Sequence, residues 1–339
     1  MKTFPKIWSD PPAISAVAIA CLLLAGAAVI ACGDDPDSNQ DHNDNSQQAN
    51  QNQGQDAGHN DPTENDDGPT LVIEADLPDE VVATAAGGSH TCVIATGGQI
   101  HCWGSNMDGE SEPPEGIFSA IDIDMARGCA LDESDEIACW GRHEGPERDP
   151  IFDPPTGPHA EVSTSDHRSC AIDLDGALHC WGHPFIETQP PSDLELHSLG
   201  IGGSHGCALD VDGQIHCWGS SEHDRTEPPE GDFAELAVGV RHGCALDDSG
   251  EPTCWGHNSD GQADPPTGSF VAISAGLEHS CALDEDGHPL CWGTNFEGQI
   301  DAAEGPFVEL SAGHYHTCAL TEDGQVHCWG ADTYGQSSP

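Results

Sequence analysis

A pair of cysteines ten residues apart, followed at once by Trp-Gly, recurs seven times along the chain. The pairs are Cys92 and Cys102, Cys129 and Cys139, Cys170 and Cys180, Cys207 and Cys217, Cys244 and Cys254, Cys281 and Cys291, and Cys318 and Cys328. First cysteines follow one another at steps of 37, 41, 37, 37, 37 and 37 residues. A fixed period of this length means an array of supersecondary units, none of which can bury its hydrophobic face alone. Neighbouring units must therefore stack.

The sixth unit shows what each contains. Val271, Ile273 and Ala275 alternate, which is the period of a strand. Cys281-Ala282-Leu283 opens a second strand and Leu290-Cys291-Trp292 ends a third. Between them, Asp284-Glu285-Asp286-Gly287 reads as a type I turn with a bulge, its glycine at positive φ. The turn glycine recurs as Gly98, Gly176, Gly213, Gly250 and Gly324. Unit two has Asp135 instead, a residue type that tolerates that conformation.

This register sets Cys281 opposite Cys291, within disulfide reach. One disulfide per hairpin is expected, each contributing ~2–3 kcal/mol in the chain-entropy model. Zinc is the competing use of cysteine, but its usual spacing is two to four residues.

Three or four short strands per unit make one small sheet. Seven such sheets packed radially give an all-β fold, a seven-bladed β-propeller with one intra-hairpin disulfide per blade. An open solenoid with capping repeats is the alternative. Leu71-Val72-Ile73, just before the first unit, is placed as a segment that helps to close the ring.

The pattern Gly-x-x-His-(Thr/Ser/Gly)-Cys-Ala-Leu-x-x-x-Gly-x-x-x-Cys-Trp-Gly-x-x-x-x-Gly-Gln stands at Gly276 to Gln299 and Gly313 to Gln336. It resembles the regulator of chromosome condensation repeat family. Within that family it is most similar to the compact secreted branch, which includes β-lactamase inhibitor protein II and the Crinkly-type ectodomains. The resemblance implies a propeller over residues 70–339. Function varies across the family, from nucleotide exchange factors to inhibitors and receptor ectodomains, so the resemblance assigns none here. The repeats match structural residues only, and no functional residue carries over.

Upstream, Lys2 and Lys6 precede an apolar run from Ala13 to Ala31, and Val29-Ile30-Ala31-Cys32-Gly33 follows the form of a bacterial lipobox. Residues 1–31 are therefore expected to be a lipoprotein signal peptide, with Cys32 the lipidated residue. An uncleaved membrane helix is the rival reading, and it too exports the remainder. Residues 32–69 are rich in Asp, Asn and Gln, with no aromatic, Leu, Ile or Val. They are expected to form a disordered tether.

Against 60 acidic residues stand 8 Lys plus Arg, for a formal net charge of −52. That excludes nucleic acid as an expected partner, because phosphate binding needs clustered positive charge. Beyond the signal there is no lysine, and four of the six arginines fall in units two and three. Unit two also carries four extra residues in the loop from Arg142 to Asp153. An insertion bearing Arg and an aromatic on a regular scaffold is where a binding site is expected. The candidate binding face is Arg127, Arg142, Arg148, Phe152 and Arg168. The competing account is two degenerate repeats without consequence.

Two other constellations take structural readings. Two residues before each first cysteine stand His90, Arg127, Arg168, His205, His242, His279 and His316. A ring of histidines could bind metal or sense pH, but a repeated packing residue that hydrogen-bonds backbone between blades is the preferred reading. Asp-x-Asp-Gly, at Asp173, Asp210 and Asp284, reads as turn chemistry rather than a calcium loop, since the distal glutamate is missing. No metal or cofactor is expected, and no nucleophile and base recur at catalytic spacing.

The expectation is a non-enzymatic binding module, monomeric, on a bacterial outer membrane or cell surface. Its partner would be a protein or an envelope component. The alternatives are an inhibitor of an extracellular or periplasmic enzyme, a guanine nucleotide exchange factor (disfavoured by export), and a propeller enzyme acting on polysaccharide.

Overall fold

Every unit places β-prone residues in three short runs separated by Gly-containing turns, and each run becomes a strand. A computed structural model describes residues 80–142, 153–165, 167–184, 191–192 and 194–338. The signal segment, Cys32, the tether and Leu71-Val72-Ile73 lie outside the described residues.

Seven antiparallel three-stranded sheets follow one another, each in the order first, second, third strand. Blade 1 comprises Val81–Ala86, His90–Ala95 and Ile100–Gly104, and blade 2 comprises Phe118–Asp124, Arg127–Asp132 and Ile137–Gly141. Blade 3 comprises His159–Thr164, Arg168–Asp173 and Leu178–Gly182, and blade 4 comprises Leu196–Ile201, His205–Asp210 and Ile215–Gly219. Blades 5 and 6 are Phe233–Val238, His242–Asp247, Pro252–Gly256 and Phe270–Ala275, His279–Asp284, Pro289–Gly293. Blade 7 is Glu309–Ala312, His316–Leu320 and Val326–Gly330. First strands of consecutive blades pack against one another, blade 7 against blade 1 included, so the ring is closed. Among the described residues each blade is one contiguous stretch of chain, and no strand is exchanged between the first and last blades.

The hairpin register is the one the spacing predicts. Cys281 faces Cys291 directly, and the same holds in every other blade. All seven pairs are disulfides, with Cα atoms 4.0–4.1 Å apart. That pairing removes zinc as a use for these cysteines. The turn glycines adopt φ near 80°, and Asp135 takes φ 60° in their place. Asp284 Oδ1 accepts the N–H groups of Asp286 and His288 at 2.9 and 2.8 Å, and Asp173 and Asp210 do the same in their own turns. Those carboxylates organise turns.

One expectation fails in the first strand. Phe270 pairs with Asp284 and Ala272 with Leu283, so a bulge falls at Val271. The bulge breaks the two-residue alternation. Phe270 turns into the core, while Val271 is left 57% exposed.

A three-stranded blade leaves the edge of its inner strand unpaired, with N–H groups that need partners. Side chains of the preceding blade supply them. Glu309 Oε1 accepts the N–H and hydroxyl of Thr84 at 2.7 and 2.9 Å, and Ser311 Oγ accepts the N–H of Ala86 at 2.7 Å. Glu235 accepts from Ile273, Glu161 from Leu199, and Asp122 from Thr164 in the same way. Burial disfavours the charged form of these acids. It pushes Glu235 and Glu309 up to about 7, and Glu161 and Asp122 well above the usual carboxylate range.

Five of the seven Trp-Gly tryptophans complete their seams. Trp140, Trp255, Trp292, Trp329 and Trp103 each donate Nε1–H to a carbonyl of the preceding blade, at 2.8–3.1 Å. The repeated histidines are structural too, with one difference from expectation. His242, His279 and His316 bond the hydroxyls of Ser280, Thr317 and Thr91 in the next blade at 2.8–2.9 Å, not backbone. Each hydroxyl donates onward to the carbonyl of Gln262, Gln299 or Gln336. The imidazole Nε2 is therefore the protonated nitrogen. Burial drives these three histidines down to about 3, so they stay neutral. His90 and His205 face Gly128 and Gly243 at the matching position, where there is no hydroxyl to bond.

Candidate functional site

Strand direction gives the disc two distinct faces. The chain reaches blade 1 at Glu80, whose carbonyl accepts the N–H of Thr96 in a hairpin turn at 2.6 Å. This is the turn-end face. Inner strands run from there to the opposite face, where outer strands also end: the N–H of Ser105 meets the carbonyl of Ser89 at 2.8 Å. On this loop-end face each outer strand leads into a loop of variable sequence. Val240 and Leu277 pack together there, and Asp124 Oδ1 meets His314 Nε2 at 3.3 Å.

The loops are braced from within. In blade 6, Gln299 Oε1 accepts the N–H of Glu297 at 2.9 Å, and Gly298 makes the turn at φ 81°. Blade 7 repeats this with Gln336, Tyr334 and Gly335. In blade 1, Glu110 replaces the glutamine and accepts the N–H groups of Asp108 and Met107. Polar side chains hold the backbone and leave the tip side chains in solvent. Met107 is 75% exposed and Phe296 87%.

The described residues of the expected arginine face divide between interior and surface. Arg127 and Arg168 are only 3% and 8% exposed. Each begins a middle strand, the position at which other blades turn a histidine into the seam. Arg168 donates to the carbonyl of Gly203 at 2.9 Å, and Arg127 to that of Arg142 at 3.4 Å. Arg142 is exposed on the loop-end face, with Nε 3.4 Å from Asp108 of blade 1. Arg148 and Phe152 lie outside the described residues. The alignment of Arg127 and Arg168 with the histidines already signalled their burial. Met107, Phe296 and Tyr334 were missed, although each stands within two residues of a positive-φ turn glycine, Gly109, Gly298 or Gly335.

On the turn-end face, Pro155–Pro158, His159, Asp173–Asp175 and His179 line a cleft of about 270 Å³. His179 Nε2 sits 2.8 Å from Asp173 Oδ2, and His159 stacks edge-on against His179 at 5.9 Å. Among the described residues no group of three or more His, Cys, Asp or Glu side chains is arranged to hold a metal ion.

The sequence matches the regulator of chromosome condensation (RCC1) repeat over residues 81–110, 197–224, 233–262, 270–299 and 307–336. Blades 2 and 3, with their substituted arginines, fall outside these ranges. No curated protein matches the chain. Among solved structures, it is similar to the CRINKLY WD40 ectodomain of the Arabidopsis thaliana receptor kinase ACR4, at TM-score 0.64 and 26% identity, covering 77% of this chain and 98% of that one. The ectodomain of the Physcomitrella patens receptor kinase CR4 is similar at TM-score 0.62 and 25% identity, covering 74% of each chain. Human WBSCR16 shares the fold at TM-score 0.61 and 16% identity, over 73% of this chain and 88% of that one. The closed seven-blade ring, the repeated seam residues and these matches agree: the chain forms a seven-bladed β-propeller that carries RCC1 repeats in five of its blades.

Proposed function

We propose that the protein is an exported, membrane-anchored binding module with no catalytic role. The observation that carries this reading is the set of seven intra-blade disulfides on a scaffold similar to two receptor-kinase ectodomains. Disulfides at this density persist in oxidising compartments. The same requirement sets aside nucleotide exchange on a cytosolic GTPase. A lipid on Cys32 would anchor the chain, and the tether would deliver it to the turn-end face at Glu80. The loop-end face would then point away from the membrane, free to dock a protein or an envelope component.

Cell fractionation with thiol trapping at harvest tests export, and palmitate labelling of the native chain beside Cys32→Ala tests the anchor. The expected result is an oxidised membrane-bound protein, labelled only when Cys32 is present. Photo-cross-linking of the full chain in intact cells is expected to trap a discrete partner. A cytoplasmic protein with reduced repeat cysteines would overturn the reading.

A further inference from the structure

Four large apolar side chains stand in solvent along one arc of the loop-end face. Met107 is 75% exposed, Phe296 87%, Tyr334 50% and Tyr315 42%. They belong to blades 1, 6 and 7, which are consecutive around the ring. Blades 4 and 5 place Glu222-His223 and Ser259-Asp260 at the matching tips. The arc is linked: Glu297, next to Phe296, acts electrostatically on the Tyr315 hydroxyl, as do Glu278 and Arg241.

The ground between these side chains is acidic. Loops 105–112, 294–301 and 331–338 carry Asp108, Glu112, Glu297, Asp301 and Asp332 besides the buried brace Glu110, and contain no Lys or Arg. Arg142 and Arg241 on this side each face a carboxylate, Asp108 and Glu278, 3.4 and 3.7 Å away. Solvated aromatic and methionine side chains on braced loops are the form that binding anchors take. Complementarity to the surrounding carboxylates selects a cationic partner and speeds its encounter.

We propose that the loop-end arc of blades 6, 7 and 1 docks a polypeptide segment in which basic residues alternate with apolar ones. The apolar side chains lie among Phe296, Tyr315, Tyr334 and Met107, and the basic ones meet the loop carboxylates. This inference rests on the reading of the protein as a binding module and names its surface and partner class.

Net charge alone draws any cationic peptide to this protein, so charge-neutral substitutions carry the test. The full chain is titrated at physiological ionic strength with an alternating Arg-Leu peptide, an Arg-Ser peptide, a Glu-Leu peptide and a chitin hexasaccharide. The variants are Phe296→Ser with Tyr334→Ser on the arc, and Val271→Ser on the turn-end face as a control. All three positions are exposed, so folding is preserved; circular dichroism checks it. The expected result is tightest binding of Arg-Leu, weakened about tenfold by the arc substitutions and unchanged by Val271→Ser. Equal binding of Arg-Ser, indifference to the arc substitutions, preference for the hexasaccharide, or no binding at all would overturn the proposal. A partner cross-linked in cells by both the native and the arc-substituted chain would remove this surface yet leave the binding function standing.

Discussion

Glu309 allows the seam chemistry to be measured at the joint between blade 7 and blade 1. Its carboxyl is buried and accepts two hydrogen bonds from Thr84. Burial raises its pKa from an ordinary 4.5 to about 7. The raised value means the folded state prefers the protonated form. The stability this group contributes is complete below pH 4.5 and is lost as pH rises through 7. The gap between 4.5 and about 7, at ~1.4 kcal/mol per pH unit, amounts to about 3 kcal/mol. Glu309→Gln keeps an acceptor for Thr84 and cannot ionise. The stability of the variant relative to the native protein is therefore expected to climb by about 3 kcal/mol between pH 4.5 and pH 8. Urea unfolding at several pH values, with disulfides intact, reads this difference. A difference that stays constant across the range would refute the claim that a buried, ionisable Glu309 governs the seam.

The other seams and hairpins give further expectations. Thr317→Val removes the hydroxyl that holds His279 Nε2–H, and is expected to cost ~1–3 kcal/mol through the unpaired imidazole; urea midpoints check it. Trp292→Phe loses the bond from Nε1 to the Gln262 carbonyl, at about 1 kcal/mol, with fluorescence-monitored unfolding as the readout. Replacing Cys207 and Cys217 together by Ser is expected to destabilise the protein by ~2–3 kcal/mol, and peptide mapping should find the other six disulfides unchanged. The share of stability that rests on buried, neutral His242, His279 and His316 is expected to start falling as pH drops below 6.5, where the unfolded chain takes up protons that the folded one refuses, opposing the gain from the buried carboxyls; urea midpoints against pH read it. Substituting all three by Gln should move that onset to lower pH.

What could be read from the chain was whatever the period made local. The cysteine pairing followed from a turn and two strands within a dozen residues, so its register was visible without tertiary information. Val271 was misjudged because a bulge has no two-residue period; only the pairing of Phe270 with Asp284 reveals it. The hydroxyl partners of the histidines stand about one repeat away, at Ser280 for His242, and backbone bonding was the wrong guess for that reason. The arginines misled because rarity was taken for exposure. In an acidic chain a cation is conspicuous, yet Arg168 is needed inside, on the carbonyl of Gly203. The loop-end arc escaped notice because exposure of Phe296 depends on Gln299 bracing a loop, a contact that composition does not announce.

The joint between the first and last blades is made of the same contacts as the joints inside the chain. Glu309 reaches Thr84 as Glu235 reaches Ile273, and Trp103 reaches the Gln336 carbonyl as Trp329 reaches that of Gln299. Among the described residues the circle therefore has no clasp distinct from its other joints. A permuted chain, opened at a loop between two other blades and spliced across the present gap, would present the same seven seams and the same two faces. Only the position of the chain ends on the disc would move.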